Sequence, residues 1–302
     1  MGGVLIFVTG RTVGDIEGEL KRKGKNVPEI IAGDNGAVIY STKTGEFLAK
    51  KTLHHETVLK MVNNYIENGG NKDYIRFTNG EEVFATKQKD VEKYYEGNSK
   101  VKLLEDIYQT IEQTQDITKV TLAEKEEIIN QSERFVKEQN CWTDKDVTKF
   151  PREDCQNYRL DIAQNNISKG DAVMWLTQNL SPEFGFICIG NGANDISMFK
   201  VAIDCNMTAA MMQNTSSKVL KEIEQYAKER KRGKVEVVPH NKHLANEYIL
   251  KKAKMFEELV AKKEREMGKK QRLPNVPRVK VSGVDARNIS RGTGWQTKGR
   301  DR

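Results

Sequence analysis

Val4-Leu5-Ile6-Phe7-Val8-Thr9-Gly10-Arg11 is the stretch on which the fold turns. Five apolar residues without a polar interruption suit a strand covered on both faces, as strands of a parallel sheet are, and Thr-Gly-Arg closes it in a polar turn. Downstream, Asp15 to Lys23 is polar with Ile16 and Leu20 four apart, which predicts a short helix ending near Gly24. Glu29 to Ala32 predicts the next short strand, then comes Gly33-Asp34-Asn35-Gly36, and Ala37 to Tyr40 predicts another strand. Strand, helix and strand in about 30 residues is the rhythm of a βαβ unit.

From Ser41 to Arg159 the texture changes. Charged helix-forming stretches dominate, at Glu56 to Glu67, Val101 to Gln113 and Leu122 to Gln139, with short strands expected at Tyr74 to Phe77 and Ile117 to Thr121. This predicts a separate α/β module inserted into the first. The βα rhythm then returns. Tyr158 to Ile162 alternates like a strand, Asp171 to Leu180 suits a helix, and Phe184 to Ile189 is a second buried apolar strand ending in Gly190-Asn191-Gly192-Ala193-Asn194-Asp195. A helix is expected from Ile196, a last strand at Val235 to Val238, and a long helix from His243 to Met267 with Ile249, Ala253, Phe256 and Val260 on one stripe.

Composition narrows the class. Hydrophobic residues make up 37% and charged residues 31% of 302, which suits a globular chain with room for a sizeable core. No apolar run approaches the roughly 20 residues of a membrane span, so no membrane partner is expected. Residues 268–302 hold ten Lys/Arg against two Asp, while the preceding 267 residues hold 40 basic and 41 acidic side chains. The net +7 therefore belongs to a basic tail without apolar periodicity, which composition predicts to be disordered. Cysteines 141, 155, 188 and 205 form no Cys-x-x-Cys pair, which suits structural thiols in a reducing cytoplasm. Adjacent His54 and His55 make a poor chelate, and Trp142, Trp175 and the Met207, Met211, Met212 cluster suit packing.

The two buried strands end in polar glycine loops, where open α/β sheets bind ligands. Gly10 lets a ligand oxygen approach the backbone, Thr9 offers a hydroxyl and Arg11 a fork suited to an oxyanion. Lys169, just before a helix, can place a point charge on a phosphate, and Asp195 is a hard oxygen ligand suited to Mg2+. Together they compose a phosphoryl site of hydroxyl, cation and metal ligand.

In order and position these segments resemble the Cof-type branch of the haloacid dehalogenase superfamily. Val4 to Arg11 is similar to that family's second motif, Gly33 to Ala37 to the Asn-Gly-Ala turn after it, Tyr158 to Leu176 to the segment bearing the third-motif lysine, and Ile187 to Phe199 to the fourth motif. The resemblance covers about residues 4–255. It implies an α/β fold with a Rossmann-like parallel-sheet core (1–40 and 158–267), an inserted α/β cap (41–157), and the basic tail (268–302). It also implies a Mg2+-dependent phosphohydrolase acting on a small phosphorylated metabolite such as a sugar phosphate. Thr9, Gly10, Arg11, Lys169 and Asn194 would bind the phosphate, Asn35 and Gly36 the substrate, and Asp195 with Asn191 the metal; Thr9 and Lys169 would serve the reaction.

Two departures qualify that expectation. The fourth motif reads Gly190-Asn191 where the family has Gly-Asp, which removes a charge from the metal site. The Asp-x-Asp strand end that supplies the family's nucleophile is absent ahead of Val4; the single such sequence, Asp144-Lys145-Asp146, follows a polar stretch, Glu138 to Thr143, that does not suit a buried strand. The expectation is a truncated or degenerate phosphatase with no turnover of its own, two inner strands lacking a neighbour. The rival is a non-catalytic phosphate- or nucleic-acid-binding protein whose tail contacts a polyanion.

Overall fold

A computed structural model describes residues 6–86, 100–114, 116–148, 156–180 and 185–239, most of 241–265, and the isolated Lys89 and Glu92. The tail at 268–302 and Cys155 lie outside the described residues, as do Ala253, Phe256 and Val260 of the expected apolar stripe. Two units are distinguished, Leu5–Ala172 and the residues from Val173 onward.

The first unit holds two sheets. In one, strands β1 (Ile6–Val8), β2 (Ile30–Gly33), β3 (Val38–Ser41) and β4 (Glu46–Lys50) lie in that order. β1 and β2 are parallel, joined by helix α1 (Val13–Arg22), while β3 and β4 run antiparallel. Helix α1 starts at Val13, two residues before the expected Asp15, because the Thr12 hydroxyl accepts the Asp15 N–H at 3.1 Å, an N-cap. The turn between β2 and β3 is tight: Asp34, Asn35 and Gly36 have φ of 49°, 58° and 101°. β1 is only half-buried, against the expectation of a strand covered on both sides, since β2 is its one neighbour among the described residues.

The second sheet has six strands, in the order β7 (Val101–Leu104), β6 (Val83–Thr86), β5 (Ile75–Thr78), β8 (Lys119–Glu124), β10 (Asn157–Gln164) and β9 (Cys141–Thr148). One face carries α2 (His55–Glu67), α3 (Ile107–Gln113) and α4 (Glu126–Glu138). Their shared core includes Met61, Tyr65, Ile111 and Ile129 against Phe77, Leu122, Leu160 and Ile162. Alternation along each strand leaves the opposite face polar.

Several elements differ from expectation. Val101–Leu104 and Leu122 belong to strands, because their apolar residues pair into this sheet before the helices begin. Glu138 to Thr143, expected to be no buried strand, runs into Cys141–Thr148, a half-buried edge strand of this sheet. The strand at Asn157–Gln164, assigned to the core from its position, pairs with β8 and β9 and so is a member of the six-stranded sheet. His55 opens helix α2 rather than lying on a strand, and its Nε2 meets the Ile111 carbonyl at 2.7 Å.

Helix α5 (Lys169–Asn179) leads from the first unit into the second. There β11 (Ile187–Gly190), β12 (Thr208–Met212) and β13 (Lys234–Val238) form an all-parallel sheet. Helices α6 (Ile196–Asp204) and α7 (Ser217–Arg230) connect them. The buried Met211 is part of β12, a strand that its short polar surroundings concealed. Ile189 is 37% exposed, because β12 is the only described neighbour of β11. Ile249 is exposed, not packed on a stripe, in a stretch whose described residues from 244 to 265 are helical.

Candidate functional site

The turn that ends β1 is held by its own backbone. Thr9 N–H donates to the Ala32 carbonyl at 2.9 Å, continuing the β1–β2 ladder by one residue. Its three consecutive carbonyls are then all taken up. Thr9 O accepts from the Asn35 N–H at 2.8 Å, Gly10 O from Lys119 Nζ at 2.6 Å, and Arg11 O from the Asp34 N–H at 2.9 Å. Arg11 N–H donates to the Thr9 hydroxyl oxygen at 3.2 Å. The Arg11 guanidinium, expected to grip an oxyanion, instead pairs with Glu19 of helix α1. Lys23 and Arg11 together hold the Glu19 carboxyl down to about 2.

Asn35 lies against this turn. A Cβ at Gly10 would sit 2.8 Å from Asn35 Oδ1, so a larger residue there would push the Asn35 amide aside. Asn35 is 2% exposed, and neither its Oδ1 nor its Nδ2 has a hydrogen-bond partner. An orphaned buried amide is costly, and a ligand that pairs with it would remove that cost. Gly36 in turn closes on the segment before Lys169: a Cβ there would meet the Ser168 carbonyl at 2.5 Å. Ser168 caps helix α5 through the Asp171 N–H at 3.1 Å, which seats the buried Lys169 on the first turn. The structure therefore brings Thr9, Gly10, Asn35, Gly36 and the Lys169 segment into one neighbourhood of the first unit.

Sequence reasoning missed the network beside them. The Asp34 carboxylate, fully buried, accepts the hydroxyls of Thr78 at 2.8 Å and Thr118 at 2.6 Å, and Lys119 Nζ lies 3.5 Å from its other oxygen. On the polar face of the six-stranded sheet, register aligns Arg76, Thr121, Asp161 and Asp144 across four strands. Thr121 donates to Asp161 at 2.8 Å, and Lys119 and Arg159 lie 4.0 and 3.6 Å from the Asp161 carboxylate. Burial alone would push the Asp161 carboxyl up, but Lys119, Arg159, Thr121 and Arg76 together hold it below its ordinary value. Asp144 goes the other way, raised first by burial and then by the like charge of Asp161. The signal that could have found this face is the alternation Lys119-Val120-Thr121-Leu122, polar and apolar by turns.

The loop after β11 belongs to the second unit. Asp195 is buried, and its Oδ2 accepts the N–H groups of Asn191 and Gly192, both at 2.9 Å. A Cβ at Gly190 would meet that oxygen at 2.5 Å and one at Gly192 would meet Asn194 Oδ1 at 2.8 Å, which accounts for both glycines. As a donor set for a divalent cation, Asp195 and Asn191 fit in kind, being hard oxygens, but supply a single charge between them. Among the described residues no group of three or more His, Cys, Asp or Glu side chains is placed to hold a metal. Cys141, whose thiol burial pushes up to about 11, is no thiolate nucleophile. No described helix is long and apolar enough to cross a membrane.

Residues 1–235 match the family described as haloacid dehalogenase-like hydrolase. Among solved structures, a haloacid dehalogenase-like hydrolase from Bacteroides thetaiotaomicron shares 20% identity, covers 77% of this chain and 80% of its own, and superposes with a TM-score of 0.56. A Thermotoga maritima protein shares 18% identity over 82% of this chain and 84% of its own, with a TM-score of 0.59. A sugar phosphatase of subclass IIB shares 14% identity over 77% and 79%, with a TM-score of 0.51. No curated protein matches the sequence.

Proposed function

This chain belongs to the haloacid dehalogenase-like hydrolases, and from that premise we propose that it binds a small phosphate monoester, such as a sugar phosphate, without turning it over unaided. The observation that carries this reading is the buried Asn35 amide, with no protein partner, lying on Gly10 beside Thr9. Thr9 would donate its hydroxyl proton to a phosphoryl oxygen, Lys169 would offset the charge of the phosphate, and Asn35, able both to donate and to accept, would take the ester's near hydroxyl. The polar face carries one cation, one hydroxyl and two carboxylates in register, Arg76, Thr121, Asp161 and Asp144, which suits a polyol better than a flat base. The likeness to a sugar phosphatase supports the same ligand class.

Asp195, with Asn191 and Asn194 beside it, is the proposed Mg2+ and phosphate loop of the second unit. A bound Mg2+ would withdraw charge from a phosphoryl oxygen. With one carboxylate in that loop the affinity is expected to be weak. The one Asp-x-Asp of the sequence, Asp144 to Asp146, sits on the half-buried edge strand β9, which is not the buried strand end the family's nucleophile would take. A reducing cytoplasm is the proposed compartment, on the free thiols of Cys141, Cys188 and Cys205.

Calorimetric titration with inorganic phosphate and with a panel of sugar monophosphates tests the reading. Sugar-monophosphate binding that weakens by up to about tenfold on Asn35→Ala, the worth of one hydrogen bond to a hydroxyl, with inorganic phosphate affected less, supports it. Unchanged ester affinity in that variant, with the fold intact, overturns it.

A further inference from the structure

Lys119 lies on a strand of the six-stranded sheet and is absent from every motif on which the phosphate reading was built. Its ammonium is 9% exposed and is anchored by Asp34 at 3.5 Å and Asp161 at 4.0 Å, with Asp34 itself held by Thr78 and Thr118. The shortest contact it makes is the bond to the Gly10 carbonyl, at 2.6 Å. We infer that Lys119 is a positioning residue that sets the donor direction of the Thr9 hydroxyl, acting through the Gly10–Arg11 peptide; the inference rests on the proposed role of Thr9 in holding phosphate.

The argument runs through one peptide plane. In a trans peptide the C=O and N–H point to opposite sides. Lys119 draws the Gly10 carbonyl to itself, so the Arg11 N–H is turned the other way, where it meets Thr9 Oγ1 at 3.2 Å. A threonine hydroxyl has one hydrogen and two lone pairs. With a lone pair engaged by Arg11, the Thr9 hydrogen is left to donate, which is the sense an oxyanion requires. Without Lys119 this plane is the weak point of the turn. The carbonyls on either side are fixed by backbone N–H groups of Asn35 and Asp34, whereas the middle one depends on a side chain. Gly10 has no Cβ to resist rotation, so its peptide can flip. The flip would withdraw the Arg11 N–H from Thr9 and present a carbonyl oxygen where the anion should bind. Lys119 therefore works from the six-stranded sheet on a residue it does not touch.

The test compares wild type, Lys119→Met, Lys119→Arg, Thr9→Val and the double variant Thr9→Val/Lys119→Met by calorimetry with inorganic phosphate, alongside the Arg11 amide resonance of the ligand-free protein. Lys119→Met is expected to weaken phosphate binding about tenfold when Thr9 is present and by less than about twofold in the Thr9→Val background. It should shift the Arg11 amide without ligand, and Lys119→Arg, which also donates to a carbonyl, should restore both. An equal loss in the two backgrounds would show that Lys119 meets phosphate directly and would overturn the inference. So would an unmoved Arg11 amide. If Thr9→Val leaves phosphate affinity unchanged while Lys119→Met still shifts the Arg11 amide, the role of Thr9 fails and the peptide coupling stands. Should Lys119→Met unfold the chain by stranding Asp34, Lys119→Met/Asp34→Asn removes that charge, and the same comparison is made in it.

Discussion

The carboxylate of Asp34 accepts the hydroxyl of Thr118 at 2.6 Å, although 84 residues separate them. The bond ties the turn after β2 to the start of β8, and Thr78 and Lys119 close on the same carboxylate. Asp34→Asn removes the charge opposite Lys119 while keeping a residue that tolerates the left-handed backbone at φ 49°. A loss of about 3–5 kcal/mol in denaturant unfolding is expected, because a buried cation loses one of its two carboxylates. Asp34→Ala should lose more, since it adds backbone strain; equal stability of wild type and Asp34→Asn would mean that this network contributes nothing to folding.

Asp144 and Asp161 are directly opposed across β9 and β10. The Asp144 carboxyl is raised by burial and by its neighbour's charge, so the folded chain favours its protonated form relative to the unfolded chain. The sign follows: ionised Asp144 weakens the fold at neutral pH, and the penalty fades as pH falls through its raised value. Asp144→Asn should stabilise the chain by about 0.2–1 kcal/mol at pH 7. The gain should vanish below about pH 4, where the native carboxyl is also neutral. Asp161, held below its ordinary value, behaves oppositely: its contribution is present at neutral pH and is lost as pH drops through that lowered value. Thermal melts of both Asn variants from pH 3 to pH 8 separate the two signs.

The loop from Gly190 to Asp195 has one carboxylate, and two backbone N–H groups already use its Oδ2. Mg2+ titration should accordingly give weak binding. Asn191→Asp adds a second charge beside Asp195 and should tighten it by at least about tenfold. Equal or poorer Mg2+ affinity in the variant would remove Asn191 from the proposed cation site.

On the proposed reading Thr9 and Lys169 hold a phosphate, and neither is a covalent nucleophile. Loss of a nucleophile lowers rates by several orders of magnitude. The 302-residue chain should show no Mg2+-dependent hydrolysis of small phosphate esters above background. Fusing an apolar strand ending in Asp-x-Asp-Gly-Thr ahead of Val4 should raise both solubility and activity, as β1 offers an open parallel edge among the described residues. Activity in the unextended chain that disappears on Asp144→Asn or Asp146→Asn would instead make the edge-strand Asp-x-Asp the catalytic pair.

Local chemistry by itself determined much of this protein. Apolar runs flanked by glycine loops marked β1, β2 and β11, because a strand of a parallel sheet is built of apolar residues and its end needs a turn. The order of Thr-Gly-Arg, Asn-Gly, a lysine before a helix and Asn-Asp marked the family, because each sits at a strand or helix end. What only the tertiary structure decided is the partnering. Val101 and Leu122 went to strands although their surroundings favour helix, because cross-strand neighbours outweigh local propensity. Arg11 went to Glu19, and the buried role of Lys119 arose from Asp34, Asp161 and Gly10, residues 85, 42 and 109 positions away. No window of sequence contains such a set: a buried lysine acquires its function from charges and carbonyls that only the folded chain brings within reach.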